Sequence, residues 1–243
     1  MMIIPAIDIK DGKVVRLLKG RFEDMTVYSD DPVSVAKKWE TEGAKMLHLI
    51  DLDGALSGET KNFEVITRIV NAVKIPVQVG GGIRKEYDIA RFLAGGISRV
   101  ILGTKAIESR EFLKGMLQNW KEKVILSVDA TNGILAQRGW TESSNLKVID
   151  FLTEIEPFGV SCLIYTDISR DGTLSGPNIK GVAEILKKFK IPVIASGGIS
   201  GIKDIKNLLR LKSQGLTGAI IGKALYEGRL SLKEAISVCS PKG

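Results

Sequence analysis

Two stretches of this 243-residue chain repeat one another: "IIPAIDIKDGKVV", Ile3 to Val15, and "VILSVDATNGILA", Val124 to Ala136. Placing Asp8 on Asp129 aligns Ile4 with Ile125, Ile7 with Val128, Gly12 with Gly133 and Val14 with Leu135. Further pairs follow in the same order. "DGALSG" at Asp53 answers "DGTLSG" at Asp171, "IPVQVGGGI" at Ile75 answers "IPVIASGGI" at Ile191, and "VILGTKA" at Val100 answers "AIIGKAL" at Ala219. Ordered matches at a nearly constant offset describe one unit used twice, so any fold for the chain must accommodate two copies of it.

The unit is built of strands and helices in turn. The runs "IIPAI", "MLHLI", "IPVQV", "RVILG", "VILSV", "SCLIY", "IPVIA" and "GAIIG" read as strands. Between most of them lie amphipathic segments such as "DPVSVAKKWETEG" and "NFEVITRIVNAV", whose apolar residues recur at helical spacing. Asp30-Asp31-Pro32 and Gly43 supply the start and stop signals of the first helix. Eight strand–helix units in about 240 residues match the size and order of a (β/α)8 barrel. Alternation alone does not exclude a doubly wound open sheet, but a twofold (βα)4 repeat closes naturally into a ring. The expectation is an α/β protein made of one TIM-barrel domain over residues 1–243, with half-barrels at about 1–122 and 123–243.

Composition narrows the function. With 44% hydrophobic residues the chain can bury a large core. The two cysteines, Cys162 and Cys239, form no disulfide framework and fit a reducing cytosol. Pro5, Asp8 and Lys10 come too early for a secretory leader, and no apolar run reaches the length of a membrane span. A cytoplasmic protein is expected. The net charge of +7 admits nucleic acid or an anionic small molecule as partner. Lys187, Lys188, Lys190, Lys203 and Lys206 fall at polar positions of helical segments, with acids mixed in and no interleaved aromatics, which argues against nucleic acid.

In a barrel of this kind, active sites gather at the C-terminal ends of the strands, where each repeated motif begins. Strands one and five lie opposite each other, and the pairs three-four and seven-eight lie on a crossing axis. Along the first arm stand Asp8 and Asp129. Either alone reads as a cap for its own turn, but recurrence at opposite positions suits proton removal and delivery, provided that burial keeps one carboxyl protonated near neutrality. A shared metal is disfavoured by their separation and by the lack of a His or Cys cluster. Along the second arm lie "GGGI" with Gly103 and Thr104, and "SGGI" with Gly222 and Lys223. Glycine turns on neighbouring strands expose backbone N–H groups that bind phosphate. Two cradles imply an elongated bisphosphate held at both ends, its reactive middle between the aspartates. Thr166 and Asp171 are near the mouth and fit either a substrate contact or a cap. Trp140, in "QRGWTESS", reads as a loop aromatic after strand five, either an anchor for that loop or a stacking face. His48, the only histidine, reads as a partly buried strand residue satisfied by hydrogen bonds, on the face opposite Asp51.

The motifs "IPAIDIKDGKVVRLLKGRF", "HLIDLDGA", "VQVGGGIR", "LSVDATNG", "RGWTESS", "YTDISRDGTLSGPN" and "IASGGIS" together resemble the histidine-biosynthetic isomerases that act on phosphoribosylformimino-5-aminoimidazole carboxamide ribotide, the ProFAR isomerases. The match spans essentially the whole chain. The resemblance implies a (β/α)8 barrel that carries out an Amadori rearrangement, an aldose-to-ketose conversion on a substrate with a phosphate at each end. It implies Asp8 as proton acceptor and Asp129 as proton donor, with Thr166 supporting the donor. It places Gly81, Gly82, Gly103 and Thr104 at one phosphate, and Gly176, Gly198 and Gly222 at the other. It has Arg16 and Asp171 orienting the centre of the substrate and Trp140 covering an imidazole ring. No cofactor or metal is implied, and a monomer suffices because the duplication already closes the ring.

Three alternatives stay open at this stage. The related imidazole glycerol phosphate synthase cyclase shares the barrel, the repeat and two strand-end aspartates. Against it, Ala6 stands where the cyclase usually carries Cys, and "GWTESS" and "TDISRDGTLSGPN" resemble isomerase loops. A bispecific isomerase that also converts phosphoribosylanthranilate needs the same two aspartates. A non-enzymatic binding module would retain ligand without turnover.

Overall fold

The computed structural model of the chain describes residues 1–137, 140 and 142–240, with backbone only at 142 and 143. In chain order its elements are β1 Met2–Lys10, β2 Lys13–Leu18, β3 Arg21–Ser29, α1 Pro32–Thr41, β4 Leu47–Asp51, α2 Leu52–Ser57, α3 Phe63–Ala72, β5 Val77–Gly80, α4 Glu86–Ala94, β6 Arg99–Leu102, α5 Thr104–Glu108 and α6 Arg110–Trp120. The second half contains β7 Val124–Thr131, β8 Ile134–Gln137, β9 Glu142–Lys147, α7 Val148–Ile155, β10 Leu163–Asp167, α8 Ile179–Lys188, β11 Val193–Ser196, α9 Ile202–Leu209, β12 Leu216–Ile221, α10 Lys223–Tyr226 and α11 Leu232–Cys239.

Parallel pairing runs β1–β4–β5–β6–β7–β10–β11–β12 and returns to β1, so the eight expected strands close into a barrel rather than an open sheet. Side chains alternate across this wall. On β7, Val124, Leu126 and Val128 join the large core between sheet and helices, whereas Ile125 belongs to a separate interior cluster with Ile4, Ala6, Ile101, Ile164 and Ile220. Each fully buried aliphatic side chain contributes about 1.5–3 kcal/mol, and the outer layer holds most of them. Helix signals act where the sequence places them. Asp31 caps α1 by accepting from the N–H groups of Val33 and Ser34, Pro32 occupies its first turn, and Gly43 lies just beyond its end at φ 101°.

The structure adds two antiparallel ribbons where the sequence reading places only a Gly turn and, after strand five, a loop. Asp11-Gly12 (φ 50° and 74°) joins β1 to β2, and Asn132-Gly133 (φ 52° and 77°) joins β7 to β8. Two successive positive φ values are the mark of a type I′ hairpin turn. β3 and β9 continue these ribbons, so each half-barrel carries a flap on the rim at which its first strand ends.

The loops that follow β4 and β10 are braced alike. Fully buried Asp51 accepts from the N–H groups of Gly54 (2.8 Å), Lys61 (2.7 Å) and Asn62 (2.9 Å) and from the Asn62 amide Nδ2 (2.7 Å). Asp167, at the same place in the other half, accepts from Ser169 N–H (3.0 Å), Ser169 Oγ (2.5 Å) and Asn178 Nδ2 (2.6 Å). Each aspartate ends its strand and bonds an asparagine eleven residues on, which holds the rim in one shape. Replacement of Asp51 by Ala takes the shared acceptor from four donors, three of them buried, and is expected to lower stability by about 3 kcal/mol. Urea unfolding should show a lower midpoint at unchanged slope, with a smaller drop for Asp167→Ala, which orphans fewer donors.

Candidate active site

A cavity of about 1280 Å³, counting its open mouth, lies at the C-terminal ends of the barrel strands and is lined by Asp8 and Asp129 together. A smaller one of about 310 Å³ adjoins it, and Arg16, Asp171, Ser196 and Ile220 face both. The two repeated aspartates therefore share one chamber, with a side room under the loops after β11 and β12.

Asp8 follows Ile4 and Ala6 on the inward face of β1. Its nearest charge comes from its own hairpin. Arg16 on β2 brings a guanidinium nitrogen to 2.8 Å from Asp8 Oδ2, and the two side chains keep only 9% and 16% of their exposure. Burial pushes the Asp8 carboxyl above the usual carboxylate range, and the guanidinium pulls it back. Arg16 can lie there because residue 222 is glycine: a Cβ at Gly222 would sit 1.7 Å from an Arg16 terminal nitrogen. Asp171 completes this side. Burial raises it to about 6, against the pull of Arg16 and with added repulsion from Asp8 and Asp129. Its carbonyl accepts from Lys19 N–H at 3.0 Å, tying the β2–β3 turn to the loop after β10.

Asp129 is inward on β7 by the same parity, but its partners are neutral. Ser127 Oγ donates to Oδ1 at 3.0 Å, the Trp140 indole N–H donates to Oδ2 at 2.9 Å, and Thr166, level with Asp129 on β10, adds a side-chain hydrogen bond. Burial raises this carboxyl too, while the three hydrogen bonds oppose the rise. Trp140 is bracketed by β8 and β9, and its ring lies against Gly20 in the opposite hairpin, where a Cβ would be 2.3 Å from the indole. The flaps of the two halves thus meet over the mouth at Trp140. Arg138, Gly139 and Thr141 of the same sequence motif lie outside the described residues.

Across the chamber, the glycine turns recur as nearly superimposable backbone. Gly103 (φ −118°, ψ −108°) and Gly222 (φ −112°, ψ −99°) precede α5 and α10. Gly81 and Gly82 are at φ 104° and 72°, and Gly197 and Gly198 at 90° and 81°. A side chain at Gly81 would lie 2.1 Å from the Asp51 carbonyl oxygen, and one at Gly197 would lie 2.8 Å from that of Asp167. Both the dihedrals and the close approach to the braced loop exclude any other residue there. Gly81, Gly82, Gly103 and Thr104 line the large cavity together, as Gly198 and Gly222 line the smaller one. Gly176 is set apart. Its N–H donates to the Gly198 carbonyl at 2.8 Å and its own carbonyl accepts from Arg170 Nη1 at 3.0 Å, so it supports the cradle from behind.

Several lining residues escaped the reading of motifs. Arg84 and Lys105, one position beyond "GGGI" and Thr104, add positive charge beside the first cradle as Lys223 does beside the second. Their placement next to the glycines was the available signal. His48, expected to be partly buried, is buried; it is opposite in parity to Asp51 as expected, and it faces the cavity.

The histidine biosynthesis protein family model matches residues 2–231. Similar proteins include the 1-(5-phosphoribosyl)-5-((5-phosphoribosylamino)methylideneamino)imidazole-4-carboxamide isomerases of three organisms. That of Ruminiclostridium cellulolyticum is 49% identical over 97% of this chain and 99% of its own length. That of Syntrophus aciditrophicus is 49% identical over 98% of each chain, and that of Acetivibrio thermocellus is 49% identical over 98% of this chain and 99% of its own. With a repeated barrel, paired strand-end aspartates and near-complete coverage by that family's model, the chain belongs to the histidine biosynthesis protein family.

Proposed function

We propose that the chain is an intramolecular aldose–ketose isomerase that converts the ProFAR bisphosphate to its ribulosyl isomer by an Amadori rearrangement. One observation carries this reading: two partly buried carboxyls share a chamber but have different partners, a guanidinium at Asp8 and neutral donors at Asp129. Different surroundings are how two identical carboxyls are assigned opposite tasks. A cation favours an ionised Asp8, ready to accept a proton. Burial without a cation favours a protonated Asp129, ready to give one. The names and full-length similarity of the relatives support the substrate class.

In this mechanism Asp129 protonates the furanose ring oxygen, and the C1–O bond breaks to give an open-chain Schiff base. Asp8 then removes the C2 proton, and the electron pair moves through C2–C1 to the imine nitrogen, forming an enolamine that tautomerises to the ketose. No atom is gained or lost and no electron acceptor is required, so the reaction runs without a cofactor. Thr166 holds the Asp129 carboxyl, Arg16 and Asp171 orient the middle of the substrate, and Trp140 covers its imidazole and excludes water. One phosphate rests on Gly81, Gly82, Gly103 and Thr104 near Arg84 and Lys105, the other on Gly198 and Gly222 near Lys223, with Gly176 behind. The protein acts as a monomer in the cytoplasm, its half-barrels meeting near residues 122 and 123. Among the described residues no helix is long and apolar enough to cross a membrane.

Assay of the purified protein with ProFAR tests the reading directly, and absence of turnover overturns it. Asp8→Asn and Asp129→Asn are each expected to lower kcat by about a thousandfold with the fold retained by circular dichroism. The profile of kcat against pH should be bell-shaped, its acid limb set by Asp8 and its alkaline limb by Asp129. The Trp140 hydrogen bond lowers the Asp129 pKa. Trp140→Phe removes it, Asp129 keeps its proton to higher pH, and the alkaline limb should move upward. Gly222→Ala should displace Arg16 and depress kcat/KM at least tenfold, measured against an unchanged thermal midpoint.

A further inference from the structure

The floor of the large cavity carries a polar chain that the acid–base steps above leave unused. His48 on β4, Gln78 on β5 and Arg99 on β6 are neighbours in register across three adjacent parallel strands. Their side chains meet inside the barrel. Arg99 Nη2 donates to Gln78 Oε1 at 2.6 Å, and Gln78 Nε2 lies 2.9 Å from His48 Nδ1. Gln78 is fully buried and His48 is 7% exposed, on the wall of the cavity.

Chemistry fixes the direction of this chain. A guanidinium can only donate, so the Gln78 atom it touches is the oxygen. The atom facing the imidazole is then the amide nitrogen, also a donor, and His48 Nδ1 has to accept. A neutral imidazole that accepts at Nδ1 carries its proton on Nε2. Burial, with Arg16 and Arg99 nearby, holds the imidazole pKa down to about 3, and among the described residues no carboxylate bonds the ring. Of the two nitrogens Nδ1 is occupied, which leaves Nε2–H for whatever fills the cavity. The ring also stands close to the acid–base pair: His48 is level with Ala6, one inward step below Asp8 on the adjoining strand.

We propose that Gln78 and Arg99 are positioning residues that hold His48 as the Nε2–H tautomer, so that the barrel floor offers one neutral hydrogen-bond donor to an oxygen of the sugar chain. Gln78 sets the proton and Arg99 sets Gln78. A neutral donor suits this place, because it polarises an oxygen without competing with Asp8 for the proton at C2. The contact with a sugar oxygen rests on the isomerase reading. The tautomer does not.

The chain contains a single histidine, so histidine labelled with 15N reports one imidazole in the intact protein. At pH 7.5 the wild-type spectrum should show protonated Nε2 and bare Nδ1, and the reverse pattern or an imidazolium would overturn the proposal. In Gln78→Glu the new carboxylate accepts from both neighbours, and the proton should move to Nδ1. The same variant should lose about tenfold in kcat/KM with ProFAR, as expected for one donor withdrawn from the substrate. An unchanged spectrum in this variant overturns the role of Gln78, and a reversed spectrum with unchanged kcat/KM overturns the substrate contact. Arg99→Met supplies a second variant should Gln78→Glu not fold: without its anchor the Gln78 amide can turn either way, so mixed tautomers are expected, and a pure Nε2–H signal removes Arg99 from the chain. Wild-type protein with the expected spectrum and no ProFAR turnover would reject the isomerase reading while leaving the tautomer assignment intact.

Discussion

Everything at the mouth depends on the parity that a closed ring of parallel strands imposes. Once β12 pairs with β1 and β10 with β7, alternate side chains of each strand have no choice of face. Ile3, Ile7 and Ile9 take the outer layer against the helices, and Ile4 and Ala6 take the interior. Asp8 is inward because Ala6 is, just as Asp129 is inward because Ile125 is. The many buried aliphatic contacts of the outer layer therefore decide the direction of two carboxylates that contribute nothing to that layer. A slip of one residue in either strand would turn an apolar side chain (Ile7 or Ile9, Val128 or Ala130) into the chamber and place an aspartate under a helix, at a cost of several kcal/mol.

Parity makes the two aspartates equivalent, and the flaps make them different. Each half sends an antiparallel ribbon up from its first strand, and each ribbon returns one side chain to its own aspartate, Arg16 to Asp8 and Trp140 to Asp129. Duplication of a symmetric unit supplies two acids at matched positions. The chemical division between them lies in the ribbons, which do not share the strict pattern of the barrel. β3 alternates poorly and is exposed along much of its length, so its side chains vary without disturbing the core. Divergence of function is cheapest in such places.

The same distinction explains what the sequence disclosed. Eight strands, the twofold repeat and the glycine cradles were legible because each is a local pattern: a β-branched run, a motif recurring in order, a Gly turn at a strand end. Asp11-Gly12 and Asn132-Gly133 are standard hairpin signals, yet the ribbons were not anticipated, because β2 and β3 pair with one another rather than joining the alternation of strand and helix. Long-range partners left no local trace. Nothing near Gly222 in the chain announces that its missing Cβ makes room for Arg16. The matched "DGALSG" and "DGTLSG" motifs also turn out to be used differently: Asp53 accepts from Asp11 N–H at 2.7 Å and from Asn62, whereas Asp171 lines the cavity. The structurally equivalent acids are Asp51 and Asp167, the strand-end residues that brace the loops, two positions before Asp53 and four before Asp171.

Three carboxyls facing one chamber are a liability for the folded state. Burial lifts Asp8, Asp129 and Asp171 above ordinary carboxylates, so the native form holds protons that the unfolded chain releases, and stability declines as pH rises through that window. For Asp171 the window runs from the ordinary value of 3.8 to about 6. The rim is built differently. Asp51 and Asp167 accept several hydrogen bonds from the loops that follow them, which ties those loops to the strand ends without adding unpaired charge to the chamber. The rim thus shapes the walls of the chamber while the inward acids line its open cavity. The strain on the inward acids is thereby kept where a sugar between two phosphates would meet it, and relieving that strain by proton transfer is the chemistry the proposed reaction requires.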